Sequence, residues 1–215
     1  MSAQLWWDVA RAGGLLSWAL LAASVLWGLA LSSRIFGRRP RPAWLLDVHR
    51  YLGGLAVIFV GVHVVAIMLD TYVSFGPAQA FLPFASTWHP VAVAWGVVAL
   101  YLLLAVELTS LARRHLPLRI WRRFHYLSFG VFVFSTVHLL TAGTDRTNPV
   151  VVLPVIAVCG AVLVLTALRN APQPPQPTAP RAAPAPRARR PVGPTVTPPP
   201  RRRAPGARTP SLTGR

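Results

Sequence analysis

The chain has 215 residues, 53% of them hydrophobic and only 13% charged, with a formal net charge of +17. An average soluble domain is about a quarter charged, so this balance excludes an ordinary soluble globule and points to a membrane protein. A single cysteine, Cys159, excludes an internal disulfide framework and any zinc or iron–sulfur site built on cysteines.

Residues 1–12 form a short segment ahead of the first apolar stretch. Five such stretches follow, at about 13–31, 51–69, 91–111, 126–142 and 150–168. Each approaches the ~20 residues needed to cross a ~30 Å hydrocarbon core. Helices satisfy their own backbone groups in lipid, so residues 13–169 read as an all-α integral membrane bundle of about five transmembrane helices. The first stretch lacks a basic leader and is followed by Arg, so it does not read as a signal peptide. Pro154 falls in the first turns of the fifth stretch, where proline is tolerated. Residues 170–215 read as a disordered Pro/Arg-rich tail. From residue 171 onward there are 14 of the 22 Pro, nine Arg and no acid, a composition that cannot build a core. The tail shows no recognition helix and no interleaved aromatics, so nucleic acid is not the expected partner. Membrane lipid or a docking protein accounts for its charge.

All 22 basic residues are Arg, and their distribution orients the bundle. Arg34, Arg38, Arg39, Arg41 and Arg50 lie around the first link. Arg113, Arg114, Arg119, Arg122 and Arg123 lie around the third, and ten more run from Arg169 to the end. The opposite side carries only Arg11 and Arg146. The expectation is an extracytoplasmic N-terminus and a cytoplasmic C-terminus in a bacterial-type plasma membrane. Trp6, Trp7, Trp44, Trp88 and Trp121 fall near stretch ends, as an interfacial belt requires.

Histidines carry the chemical signal. His49 and His63 belong to the second stretch, His125 and His138 to the fourth, and these two helices run parallel. His49 and His125 open them at the inner face. The spacings of 14 and 13 residues correspond to about 21 and about 19.5 Å of helix, so one pair meets near each leaflet. Imidazoles facing each other at equal depth suit a planar haem held from both sides. With both axial positions filled, the iron moves electrons and binds no substrate. Fourteen steps leave two side chains ~40° apart around a helix, whereas thirteen leave them ~140° apart, so the fourth stretch is expected to tilt, supercoil or carry a bulge, or the two haems to approach it from different sides.

The segments His49-Arg50-Tyr51-Leu52-Gly53 and Trp121-Arg122-Arg123-Phe124-His125-Tyr126-Leu127 resemble the haem-binding helices of the ferric-reductase-like transmembrane domain. That superfamily includes ferric reductases, NADPH oxidases and the bacterial MsrQ-type haem subunit. The likeness covers about residues 45–142. It implies two b-type haems, the inner one on His49 and His125 and the outer one on His63 and His138. Larger relatives continue into a flavin and nicotinamide domain. No Gly-x-Gly-x-x-Gly fingerprint occurs here, so this chain is expected to bind neither flavin nor nicotinamide alone. It is expected to serve as the electron-transfer subunit of an oxidoreductase. A separate cytosolic flavoprotein reductase or membrane quinol would be the donor. The resemblance offers ferric chelates, oxygen or a secreted protein as extracytoplasmic acceptors.

Arg50, Arg122 and Arg123 adjoin the inner ligands, and Arg146 lies near the outer level. A guanidinium fork suits a haem propionate, and positive-inside charge accounts for the first three equally well. For Arg146, Asp145 is a simpler partner. Gly53, Gly54, Gly61 and Gly130 flank the ligands, with helix packing the favoured role for most. Glu107 is expected to pair with Arg113 or another Arg of the inner link, and a proton relay is the alternative. His89 reads as an interfacial side chain, His115 as solvated and Cys159 as a packed small hydrophobe.

Two other classes compete. A transporter would use the histidines for copper, zinc or protons, but same-helix histidines ~20 Å apart cannot share an ion whose bonds are ~2 Å long. Broken helices and internal repeats, common in transporters, are not evident. A scaffold presenting the basic tail would tolerate loss of all four histidines.

Overall fold

A computed structural model describes residues 3–33, 42–71, 73 and 75–171. Arg34, Arg38, Arg39, Arg41 and the tail from residue 172 lie outside the described residues. Helices α1 (Ala3–Ser32), α2 (Ala43–Leu69), a short α3 (Pro77–Phe81), α4 (Pro90–Leu111), α5 (Leu118–Ala142) and α6 (Pro149–Asn170) follow in order, with a 3-10 turn over Ala112–His115. Five helices among the described residues are long and apolar enough to cross a membrane: Gln4–Ser32, Ala43–Leu69, Pro90–His115, Leu118–Ala142 and Pro149–Asn170.

The far ends of the apolar stretches and of the helices agree to within about two residues, but three helices start earlier than apolarity indicates. α1 begins ten residues before Gly13, α2 eight before Tyr51, and α5 eight before Tyr126. Polar side chains such as Asp8, Asp47 and Arg122 leave the hydrophobic pattern without breaking backbone hydrogen bonds, so the helix outlasts the apolar run. Proline sets the starts of α4, α5 and α6. Pro90 and Pro149 occupy first-turn positions and Pro117 precedes α5, where a missing N–H costs nothing. Asn148 caps α6 by accepting from the Val150 N–H at 3.0 Å.

α1 packs chiefly along α2 and α4 along α5, giving two antiparallel hairpins; α1 also touches α5 and α6. One buried cluster joins Trp18, Ala22, Val25 and Leu29 of α1 to Phe132 of α5 and to Val155 and Val162 of α6. A second joins Leu103 and Val106 to Val131. Buried alanines (Ala10, Ala56, Ala66, Ala92, Ala99) let backbones approach, as helix contacts in lipid require. Ile58, Val65, Leu153, Ile156 and Leu163 are exposed, which is the apolar surface a bilayer covers. Across the bundle, the Trp18 indole N–H donates to Thr136 Oγ1 at 2.9 Å.

Candidate functional site

α2 and α5 bring the four histidines together in two pairs. His49 and His125 have ring centres 6.0 Å apart with planes at 77°. His63 and His138 have centres 6.3 Å apart with planes at 74°. His49 and His125 each sit about two turns inside their helices, because those helices start at Ala43 and Leu118. α5 is α-helical throughout Leu118–Ala142, so no bulge absorbs the 13-residue spacing.

Three rings are anchored by backbone carbonyls of the neighbouring helix. His63 Nδ1 lies 2.6 Å from Ala10 O and His138 Nδ1 lies 2.8 Å from Ala92 O. His49 Nδ1 lies 3.0 Å from Ser24 O and 3.2 Å from Ser24 Oγ. A carbonyl only accepts, so each bond places the ring hydrogen on Nδ1 and leaves Nε2 with a free lone pair. That arrangement fixes the tautomer of a metal-ligating histidine. His125 Nδ1 is buried and has no hydrogen-bond partner among the described residues. Its ring stacks on Trp121, centres 4.9 Å apart and planes at 20°.

Glycines make room for the rings, and they are on the facing helices. A Cβ at Gly14 would sit 2.9 Å from His63 Nδ1, one at Gly28 3.1 Å from His49 Cε1, and one at Gly96 2.8 Å from His138 Cε1. The glycines on the histidines' own helices do other things. Gly53 faces the Glu107 carboxylate, Gly130 faces Leu102, and Gly54 and Gly61 meet nothing within 4 Å. The packing role expected for most of that set therefore fails for Gly54 and Gly61, which are turned outward.

A cavity of about 230 Å³ lies at the His63/His138 level, and its walls include Gly14, Leu103, Val131 and Gly96. Arg11 and Asp145 also line it. They form a two-point ion pair, with Arg11 Nε 2.6 Å from Asp145 Oδ2 and a second contact between Nη2 and Oδ1. Asp145 thus pairs with Arg11 of α1 and not with adjacent Arg146, which is exposed. Sequence order gave no sign of this partner, 134 residues away.

The other arginines near the histidines point outward. Arg50 pairs with Asp47 at 3.3 Å on the surface, and Arg122 and Arg123 are exposed. Glu107 has no ion pair among the described residues, contrary to expectation. Arg113 places its guanidinium 4.5 Å from the centre of the Trp121 ring, and the Glu107 carboxylate packs against Gly53 instead. Trp121 lies in the first turn of α5, half-buried against His125. His89 is exposed at the N-cap of α4 with φ 41°, edge-on to Trp88 at 4.6 Å. His115 is exposed and accepts from Arg114 Nε at 2.9 Å. Cys159 packs against the first core cluster.

Parallel helices here present two levels of facing imidazoles inside an apolar bundle, a place where helix bundles hold cofactors. The family model described as the ferric reductase like transmembrane component matches residues 13–136, and the chain belongs to that family. The family match makes the chain a membrane electron-transfer component. No curated protein and no solved structure matches it.

Proposed function

We propose that this chain is a cytochrome b-type subunit that carries electrons across the membrane between two haems. The carrying observation is the pair of facing imidazole couples, 6.0 and 6.3 Å between ring centres. A metal bound by one nitrogen of each ring holds those nitrogens about 4 Å apart, with the ring centres lying beyond them. The separations leave that space, and the Nδ1 bonds to Ser24, Ala10 and Ala92 leave Nε2 as the ligating atom on three rings. Gly14, Gly28 and Gly96 keep the rings seated where a Cβ would push them aside. The residues present therefore fit a haem at each level.

His49 and His125 would hold one group and His63 and His138 the other. Bound this way, haem iron exchanges single electrons and offers no open position to substrate. The helices hold the two levels ~20 Å apart along the bundle. Arg11 stands at the outer cavity, where its guanidinium balances carboxylate charge already supplied by Asp145. Arg122, Arg123 and Arg146 are exposed, and Arg50 shares a surface pair with Asp47; a guanidinium fork at these positions suits propionates or lipid phosphates. The Arg distribution supports an outside N-terminus and a cytoplasmic C-terminus. A cytosolic flavoprotein or membrane quinol would then feed the His49/His125 level. An extracytoplasmic protein, ferric chelate or oxygen would draw from the His63/His138 level.

The test is haem per chain and the reduced-minus-oxidised spectrum of purified protein in detergent. The wild type should carry about two low-spin b-type haems. His63→Ala or His138→Ala should remove one and stop transfer across the membrane. Unchanged haem content in both variants would overturn the assignment.

A further inference from the structure

We propose that Trp121 is the positioning residue for His125, doing by ring stacking what a backbone carbonyl does for the other three histidines. The inference rests on the two-haem reading and adds a specific asymmetry to it.

The asymmetry follows from helix geometry. On α2 the two histidines are fourteen residues apart, ~40° off one face. Both rings therefore reach the same neighbour, α1, and its carbonyls at Ala10 and Ser24. On α5 they are thirteen apart, ~140° off one face, and the helix runs without a bulge from Leu118 to Ala142. Once His138 is aimed at Ala92 of α4, His125 cannot be aimed at α4 from the same face. Its Nδ1 is accordingly buried with no acceptor among the described residues.

Trp121 stands one turn earlier on α5, at the i−4 position whose side chain shares a face with His125. The two rings lie nearly parallel at 4.9 Å. The Arg113 guanidinium, from the 3-10 turn before α5, sits over the indole at 4.5 Å, an attraction between a cation and the electron-rich ring face. The indole N–H is itself buried and unpartnered among the described residues, so stacking holds Trp121, not a hydrogen bond through that nitrogen. A chain of three groups from Arg113 through Trp121 to His125 thus sets the ring angle at the inner level. An imidazole whose Nδ1–H has no acceptor is also a weaker donor through Nε2. The inner level combines one anchored ligand with one stacked ligand, whereas both outer ligands are anchored.

The experiment uses the full chain expressed with haem supplied, counted for haem and titrated optically against potential. Trp121→Leu should lose the inner redox component and about half of the haem. The outer component should stay at its wild-type potential, which also reports an intact bundle. Trp121→Phe keeps an aromatic face and should retain both haems with an inner component shifted relative to wild type. Two haems and two unmoved components in Trp121→Leu would overturn the proposal, as would equal loss of both components in Trp121→Leu and Trp121→Phe. A wild type that binds no haem overturns the functional reading itself, and this inference with it.

Discussion

Gly96 of α4 offers a sharp perturbation, because the added atom has a known neighbour. A Cβ built there lies 2.8 Å from both Cε1 and Nδ1 of His138 and 3.0 Å from Nε2, whereas ordinary contacts begin near 3.4 Å. In Gly96→Ala the ring must retreat by the 0.6 Å between 2.8 and 3.4 Å. Its Nδ1 bond to Ala92 O, now 2.8 Å, would stretch toward ~3.4 Å, where a hydrogen bond is nearly spent. Overpacking of this kind costs about 1–3 kcal/mol, and the lost bond about 1 more. A total of roughly 2–4 kcal/mol falls on the one ligand that α4 supports. The matched control is Gly54→Ala on α2, which meets nothing within 4 Å and gains up to about 1 kcal/mol of helix propensity. Haem per chain and thermal stability in detergent, measured on both variants, decide the matter. Gly96→Ala should lose outer haem while Gly54→Ala keeps both. Equal haem content and equal melting in the two variants would refute the reasoning.

Three further outcomes are expected. The Arg11–Asp145 pair joins a half-exposed guanidinium to a carboxylate that is 12% exposed, so a double-mutant cycle of Arg11→Gln and Asp145→Asn should give a coupling of about 1 kcal/mol; additive melting shifts would show the pair to be inert. Thr136→Val removes the acceptor of the buried Trp18 N–H and should lower stability by about 1–3 kcal/mol; in a Trp18→Phe background the loss should shrink to what the Thr136 bond to Phe132 O contributes. Glu107→Gln breaks no ion pair among the described residues, so haem content should hold and stability should stay within about 0.5 kcal/mol of wild type; a large loss of stability would reveal a partner the carboxylate depends on.

The sequence made the helices and the two histidine levels readable for one reason: both depend on the backbone repeat. Apolar length marks a span, and the rise per residue sets the depth of His49 against His125 and of His63 against His138. What decides how each ring is held was not readable. Ala10, Ser24 and Ala92 accept through carbonyls that every residue carries, and only the packing of α1 on α2 and α4 on α5 selects them. The same holds for Gly14, Gly28 and Gly96, which look like ordinary small residues until the register between helices is known. Arg11 read as one of two arginines on the side poor in basic residues. Its partner became visible only when the turn after α5 was brought back to the start of α1. The 13-residue spacing was legible as a discrepancy, and its resolution was not: α5 stays regular and the two histidines are held by different means.

The Arg11–Asp145 pair also has a history in time. Ribosomes add about 5–20 residues per second, and the partners are 134 residues apart. For roughly 7–27 seconds after Arg11 is made, its carboxylate does not yet exist. During that interval a cation near the beginning of α1 must be carried by water or lipid headgroups, which its long stem can reach from a helix end. Once α5 and the turn after it arrive, a late-made link ties back onto α1, which was synthesised long before it.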